Sequence, residues 1–306
     1  MFKKIALTAL IGAALVAAAG CGSSDKKAES AAASGAKKVT IGFSVSTQNN
    51  PFFVTMANSV KAAAEKAGVA VKIVDAQNDP AKQSNDIADL LQGNVSVLLV
   101  NPVDSAAISN SVLAANKAKI PVITLDRASE KGEVAVHIAS NNIKGGEMAA
   151  EYIVSKLGEG TPVAELEGIP GASASRERGQ GFHNIADKKL KVLAKQTANF
   201  DRSQGLTVAE NILQGNGDVK AIFAQNDEMA LGAVSAAKAA NKQLLIVGFD
   251  GTDDGVKAVQ DGTMAATIAQ QPDKMGEIGV ESALKLAKGE NVEKNIAVDL
   301  KLVEKK

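Results

Sequence analysis

The chain has 306 residues, which is enough for two domains of ordinary size. Apolar residues make up 45% of the sequence and charged residues 22%, the composition of a soluble globular protein. Lys plus Arg (34) balances Asp plus Glu (34), so the chain lacks the basic surplus that nucleic-acid-binding proteins carry.

The first twenty residues have the pattern of a secretory signal peptide. A basic start, MFKK, precedes the apolar run IALTALIGAALVAAA, and Gly20 and the only cysteine of the chain, Cys21, follow it. The segment VAAAG before it resembles a bacterial lipobox, although Ala18 stands where that pattern prefers Leu. Cleavage after Ala19, leaving an unmodified thiol, is the alternative. We predict a signal peptide over residues 1–20, lipidation of Cys21 and a lipid-anchored flexible tether over residues 21–37.

From Val39 onward, strand-like and helix-like segments alternate. The strand-like runs are VTIGFSV, VAVKIVDA, VSVLLVN, PVITLD, EVAVHIA, PVAELEG, KVLAKQ, VKAIFAQ, LLIVGFD, MAATIAQ and IAVDLKLV. Ala-rich segments with helical spacing, such as ANSVKAAAEKAG and EMALGAVSAAKAAN, separate most of them. Because the strands are rich in Val and Ile and almost continuously apolar, we predict an α/β fold whose parallel sheets are covered by helices on both faces.

Two stretches of the chain are similar to each other. In VNPVDSAAISNSVLAANKAKIPVITLD and QNDEMALGAVSAAKAANKQLLIVGFD, Asn101 corresponds to Asn226, and Asp126 corresponds to Asp250 after one deletion. Each copy places an Asn near one strand end and an Asp at the end of the next strand. The similarity predicts two related lobes, and ligands of open α/β sheets bind beyond the carboxyl ends of the strands. We therefore expect a binding cleft between the lobes.

Polar side chains and phenylalanines follow these predicted strand ends in both halves of the chain. The candidate ligand-binding residues are Ser46, Asn50, Phe52, Phe53, Asp126, Arg127, Arg178, Phe200, Asn226, Asp250 and Gln270. Carboxylate and guanidinium groups can each engage two neighbouring hydroxyls, and aromatic rings cover the C–H faces of a sugar ring. The set therefore favours a neutral sugar, while Arg127 and Arg178 leave an amino-acid carboxylate open.

Each candidate also has a simpler interpretation. Asn226 and Asp250 are also consistent with helix N-caps, and the Asn-Asn-Pro stretch with an ordinary helix start. Phe52 or Phe53 alone is more often a core residue than a ligand contact, and Asp126 with Arg127 is consistent with a local ion pair. The shared position at strand ends in both halves is the reason to prefer a common site.

Signals for catalysis are weak. The sequence has no HExxH, GxSxG or Walker motif, and we predict no catalytic residue, metal site or cofactor. Of the two histidines, His137 lies in an apolar strand pattern and is expected in the core, whereas His183 is expected to be exposed on a helix.

With these residues in view, the chain from about Lys38 to Val303 resembles the ribose-binding proteins of bacterial ABC importers. The motifs that carry the resemblance are STQNNPFF, NPVDS, IPVITLDR, KGEVAVHIASNN, ASASRERGQGF, NFDR, FAQNDEMALGA, VGFDGTDDG, ATIAQQPD and VDLKLV. The segments GIPGAS, GFHNIADKKL and IAQQPD differ in detail from the family pattern.

The resemblance implies specific roles. Phe52, Phe53 and Phe200 would sandwich the sugar ring, and the remaining candidates would hydrogen-bond its hydroxyls and ring oxygen. It also implies two Rossmann-like lobes joined by a three-segment hinge near Ser140–Asn141, Gln270–Gln271 and Asp299–Leu300. The first lobe would comprise residues 38–140 and 271–299, and the second residues 141–270 and 300–306.

The function implied is that of a monomeric, exported binding protein that closes on D-ribose and is recognised by an ABC permease. A binding protein for another monosaccharide or furanose-like molecule, or a ligand carrier for a chemoreceptor, is the alternative. Lactose-repressor-type regulators share this fold, but here a leader occupies the place of their DNA-binding segment. An enzyme using Asp126 and Asp250 ranks last, because the arginines are expected to keep both carboxylates ionised.

Overall fold

The structure, a computed structural model, describes residues 39–305, so Cys21, the predicted signal peptide and the predicted tether lie outside the described residues. The strands in that part of the chain are β1 (Thr40–Val45), β2 (Ala70–Asp75), β3 (Val97–Val100), β4 (Val122–Leu125), β5 (Val136–Ser140), β6 (Pro162–Glu167), β7 (Lys191–Thr197), β8 (Ala221–Ala224), β9 (Leu245–Asp250), β10 (Ala266–Ala269), β11 (Asn295–Val298) and β12 (Lys301–Glu304). The helices are α1 (Pro51–Lys66), α2 (Pro80–Gln92), α3 (Ser109–Lys117), α4 (Asn142–Leu157), α5 (Ser173–Lys189), α6 (Arg202–Gly215), α7 (Asp227–Ala239), α8 (Asp253–Asp261) and α9 (Pro272–Ala287).

The strands form two six-stranded sheets of matching order. The first sheet runs β11-β5-β4-β3-β1-β2, and the second runs β12-β10-β9-β8-β6-β7. All pairings of the first sheet are parallel, and in the second only the edge strand β12 is antiparallel, to β10. The predicted α/β fold with two parallel-sheet lobes is therefore confirmed, with one antiparallel edge strand that the sequence pattern did not indicate.

Each sheet is covered by helices on both faces. Within β3, Val97 and Leu99 pack in one apolar cluster with α1 and α9, while Leu98 and Val100 pack in another with α2 and α3. The second sheet likewise has one cluster under α4 and α5 and another under α6, α7 and α8. This two-sided burial explains why the strands are continuously apolar rather than alternating. We call each sheet with its helices the first lobe and the second lobe.

The run IAVDLKLV forms two strands rather than the one that its pattern suggests, on either side of Asp299 and Leu300, where the resemblance placed the third crossing. Val298 ends β11 beside Ser140 in the first sheet, and Lys301 begins β12 beside Ala269 in the second. Between them, Leu300 packs against the apolar cluster of the second lobe. A continuous apolar run cannot show such a change of sheet, because both halves satisfy the same strand pattern.

The chain passes between the lobes at three places. It leaves the first sheet after Ser140, returns after Ala269 through α9, and leaves again after Val298. No helix within residues 39–305 is both long enough and apolar enough to span a membrane.

Helices α4 and α5 of the second lobe pack unusually closely. A Cβ atom added to Gly181 of α5 would collide with the carbonyl oxygen of Ile143 in α4, and one added to Gly146 would collide with the carbonyl oxygen of Arg178. The two glycines therefore allow direct backbone contact, and that contact fixes the helix that carries Arg178.

Candidate functional site

A cavity lies between the carboxyl ends of the strands of the two lobes. It has about 240 Å³ of space between its atoms, part of which is open to solvent. Its walls come from Asn50, Phe52, Phe53, Asp126, Arg127, Ala174, Arg178, Phe200, Asn226 and Asp250. Nine of the eleven candidate residues thus line one small cavity, and both lobes contribute to it.

Two of the lining residues begin helices. The Oδ1 atom of Asn50 accepts a hydrogen bond from the backbone N–H of Phe52 at 2.9 Å, and Oδ1 of Asn226 accepts one from Met229 at 2.9 Å. Both side chains are therefore N-caps, as the simpler interpretation held, and both also face the cavity. Thr252, not Asp250, caps the helix after β9.

Charged groups of opposite sign alternate across the cavity. The Nη1 atom of Arg178 lies 3.6 Å from Oδ1 of Asp250, and its Nη2 atom lies 3.9 Å from Oδ1 of Asp126. Asp126 belongs to the first lobe, whereas Arg178 belongs to the second. On the other side, Oδ2 of Asp126 lies 3.6 Å from Nε of Arg127. All four side chains are at most 5% exposed, so solvent screens these contacts little.

Aromatic rings flank the two arginines. The guanidinium carbon of Arg127 lies 4.9 Å from the ring centre of Phe53 and 5.3 Å from that of Phe200. The guanidinium carbon of Arg178 lies 3.9 Å from the ring centre of Phe249, a residue beneath the site that the sequence did not suggest. Burial lowers the pKa of Arg127 to about 10, and the neighbouring Arg178 adds to the effect while Asp126 opposes it.

The backbone of the site has an unusual conformation. Asp126, Phe200 and Asp250 all have positive φ angles, of 64°, 61° and 118°. Residues other than glycine rarely adopt this region, and when they do, the strain concentrates at functional sites. Of the nine non-glycine residues with positive φ in the described chain, these three follow or end three different strands around one cavity, which supports a shared role in ligand binding.

Polar atoms without partners also concentrate here. Among the described residues, five buried side-chain atoms lack a hydrogen-bond partner: Ser46 Oγ, Asp126 Oδ1, Arg127 Nε, Ser140 Oγ and Gln270 Oε1. Four of the five belong to candidate residues, and the fifth belongs to the end of β5, where the chain first leaves the first sheet. Buried polar groups are normally satisfied, so a cluster of unsatisfied ones indicates a site built for a polar ligand.

Ser46 and Gln270 lie beside the cavity and are not among the side chains that line it. The backbone N–H of Ser46 donates to Oδ1 of Asn101 at 3.2 Å. The Nε2 atom of Gln270 donates to Oδ1 of Asp250 at 2.9 Å, so Gln270 contacts a lining residue directly. Ala174 lines the cavity but was not predicted, because an alanine carries no signal for ligand binding.

The carboxylate of Asp250 is more strongly affected by burial than the sequence suggested. Burial raises its pKa well above the ordinary value, and the ion contact with Arg178 only partly opposes this shift. Nearby, buried Asp227 accepts hydrogen bonds from Thr252 and Thr267, and burial raises its pKa to about 6. The arginines, which were expected to keep this carboxylate ionised, therefore act against a larger effect of burial.

The two histidines lie away from the cavity walls. His137 is half-buried in β5, and its Nδ1 atom lies 2.8 Å from Oγ1 of Thr124, in line with a satisfied core position. The prediction of an exposed His183 is wrong: its Nε2 atom lies 2.9 Å from fully buried Glu165, and its Nδ1 atom lies 2.7 Å from Asp187. Among residues 39–305, no group of His, Cys, Asp and Glu side chains is arranged to hold a metal ion.

Comparison with known proteins gives consistent results. The family model for the periplasmic binding protein domain matches residues 41–291. The ribose import binding protein of Bacillus subtilis is 54% identical over 266 residues, covering 87% of each chain. That of Haemophilus influenzae is 57% identical, covering 86% of this chain and 91% of its own.

Solved structures with bound polyols or sugars have the same fold. The Caulobacter myo-inositol binding protein, bound to myo-inositol, superposes with a TM-score of 0.84 at 30% identity, covering 87% of this chain and 93% of that one. A periplasmic solute-binding protein of Actinobacillus succinogenes with bound D-allose gives 0.82 at 30% identity, covering 88% and 98%.

Proposed function

The chain belongs to the periplasmic binding protein family, and we propose that it is the substrate-binding component of an ABC importer that captures D-ribose between its two lobes. The observation that carries this proposal is a small cavity, lined from both lobes by planar polar side chains and phenylalanine rings. The ribose-binding relatives, at 54% and 57% identity, favour ribose over other sugars.

The chemistry of the cavity suits a ring with several hydroxyl groups. A hydroxyl both donates and accepts, so it can satisfy the unpartnered oxygen of Asp126 and the unpartnered N–H of Arg127 together. Charge-assisted hydrogen bonds of this kind are stronger than neutral ones. In the proposal, Phe52, Phe53 and Phe200 cover the apolar faces of the ring.

The remaining polar candidates complete the proposed set of sugar contacts. The groups assigned to the hydroxyls and ring oxygen are Ser46, Asn50, Asp126, Arg127, Arg178, Asn226, Asp250 and Gln270. The proposed activity is binding without catalysis, in line with the names of the ribose import binding proteins that the chain resembles.

Ligand binding would drive closure of the two lobes. The structure holds them together through contacts that cross the cleft: Ser105 donates its backbone N–H to Gly171 at 2.9 Å, and Ala128 donates its own to Ser173 at 2.9 Å. A sugar can contact both lobes at once only in the closed arrangement. Its binding therefore shifts the population of molecules towards the closed form. We assign the moving bodies to residues 38–140 with 271–299 and residues 141–270 with 300–306.

The relatives in this family that serve ABC importers are exported proteins. For this chain we propose further that a signal peptide is removed, that Cys21 is acylated, and that residues 21–37 tether a monomer to the membrane surface. The permease would recognise the closed form. A chemoreceptor that binds the same closed form is a second proposed partner.

Calorimetric titration of the leader-free protein tests the proposal. The protein is first unfolded and refolded to remove co-purified sugar, then titrated with D-ribose, D-allose, xylose, galactose, arabinose and myo-inositol. We expect tight one-to-one binding of ribose and weak binding of the others. No ribose heat, together with a response to another member of the panel, would overturn ribose as the ligand and support the alternative monosaccharide function.

A pair of matched variants tests whether the second lobe takes part. Asp250→Asn replaces one carboxyl oxygen of a buried lining residue with an amide nitrogen, whereas Asp253→Asn makes the same change at an exposed residue at the start of α8. We expect a loss of about tenfold in ribose affinity for the first variant, since a buried hydrogen-bonding group left without its partner costs about 1–3 kcal/mol, and an unchanged affinity for the second. Equal affinities would contradict a two-lobed site.

A further inference from the structure

Asn142 connects a crossing between the lobes with the ligand site. The strand β5 ends at Ser140 in the first sheet, and Asn142 is the first residue of α4 in the second lobe. Its side chain is 2% exposed and does not line the cavity. Neither the sequence pattern nor the resemblance to sugar-binding proteins suggested a role for it.

The amide of Asn142 holds two charged side chains of α5. Its Oδ1 atom accepts a hydrogen bond from Nε of Arg178 at 2.9 Å, and its Nδ2 atom donates one to Oε2 of Glu177 at 3.1 Å. A guanidinium group can only donate hydrogen bonds, which puts the amide oxygen on the side of Arg178, and the Glu177 carboxyl oxygen accepts from the amide nitrogen on the other side. The oxygen of the amide is thereby directed at the arginine.

Arg178 is held from a second direction as well. Its Nη1 atom donates to the backbone oxygen of Gln225 at 2.7 Å. The guanidinium group is planar and rigid, so fixing Nε and Nη1 fixes the whole plane. Its Nη2 atom then lies towards Asp126 of the first lobe, 3.9 Å from Oδ1.

We propose that Asn142 is a positioning residue: its amide, oriented by Glu177, sets the plane in which Arg178 presents its donors to the sugar. This inference rests on the proposed function, in which Arg178 contacts the ligand. Without the amide, Arg178 keeps its hydrogen bond with Gln225 and its contacts with Phe249 and Asp250, but its Nε atom loses the partner that fixes it within the plane.

An exchange of the two partners provides the decisive variant. Asn142→Ala removes both hydrogen bonds, whereas the double variant Asn142→Asp with Glu177→Gln rebuilds both with the charge transferred from one residue to the other. The matched control is Asn184→Ala, which removes a similar hydrogen bond between the same two helices, donated by Nδ2 of the exposed Asn184 to Oε1 of Glu147 at 3.1 Å. Should Asn142→Ala not fold, Asn142→Ser takes its place.

Titration with D-ribose gives the first readout. We expect Asn142→Ala to lower the affinity at least about tenfold, as the loss of one hydrogen bond to a charged group implies. The exchanged double variant should return to within about threefold of the wild type, and Asn184→Ala should bind like the wild type. Wild-type affinity in Asn142→Ala, or no recovery in a folded double variant, would overturn the proposal.

Nuclear magnetic resonance of arginine Nε–H groups gives a second readout that needs no ligand. The chain has four arginines, so the Arg178 signal can be assigned by substitution. We expect slow exchange of this proton with water in the wild type and the double variant, and faster exchange in Asn142→Ala. An unchanged signal would overturn the positioning role. If the wild type does not bind ribose, the proposed function fails while this readout still decides the role of Asn142.

Discussion

Replacing Asp126 with Asn tests the charge arrangement of the cavity in the absence of ligand. The carboxylate lies 3.6 Å from Nε of Arg127 and 3.9 Å from Nη2 of Arg178. At an effective dielectric constant of about 20, each contact corresponds to about 4–5 kcal/mol of Coulomb attraction. The cost of burying the carboxylate offsets part of this sum, and removing one partner of a buried ion pair typically costs a net 3–5 kcal/mol.

The variant leaves two buried guanidinium groups with Asp250 as their remaining carboxylate partner. We therefore expect Asp126→Asn to lower the melting temperature of the sugar-free protein by on the order of 10 °C, at about 2–4 °C per kcal/mol for a chain of this size. Differential scanning calorimetry at neutral pH measures the shift. Asp79→Asn is the control, because Asp79 is an exposed N-cap of α2 in the same lobe and Asn caps equally well. A shift below about 2 °C in Asp126→Asn would refute the reasoning.

Two further predictions concern the second lobe. Gly181→Ala should lower the free energy of unfolding by at least about 2 kcal/mol in urea denaturation, because its Cβ collides with the backbone of α4. Gly215→Ala, at a helix end with open space around it, should be neutral or stabilising, and equal effects of the two would contradict this. Contacts with Glu165 and Asp187 raise the pKa of His183 to about 9. The stabilisation that these contacts give to the folded protein is therefore complete below pH 6.5 and is lost as the pH rises through 9. The unfolding free energy should therefore fall over that range in the wild type and less steeply in His183→Gln, and parallel pH profiles would count against it.

Much of the fold and of the candidate site was predictable because it depends on local pattern. Continuous apolar runs mark strands buried on both faces, and residues after such strands must gather at one edge of a parallel sheet. These patterns predict that Asn50, Asp126 and Arg178 lie at one cavity, although they are far apart in the sequence.

The remaining features depend on contacts between distant residues, which no local pattern encodes. The apolar pattern of IAVDLKLV fits a strand over its whole length, so the pattern alone does not show the change of sheet between Val298 and Lys301. His183 looks exposed on its helix, but a neighbouring strand places buried Glu165 against it. Asn142 is the first residue of α4, and only the packing of α4 on α5 brings its amide to Arg178.

The proposed function requires that one sugar is held by charged groups of both lobes at once. A crystal structure of the leader-free protein with D-ribose tests it most directly. We predict a single ribose between the phenylalanine rings, within hydrogen-bonding distance of Asp126 and Arg127 on one side and of Arg178 and Asp250 on the other. A ribose that contacts only one lobe, or that binds outside this cavity, would contradict the account.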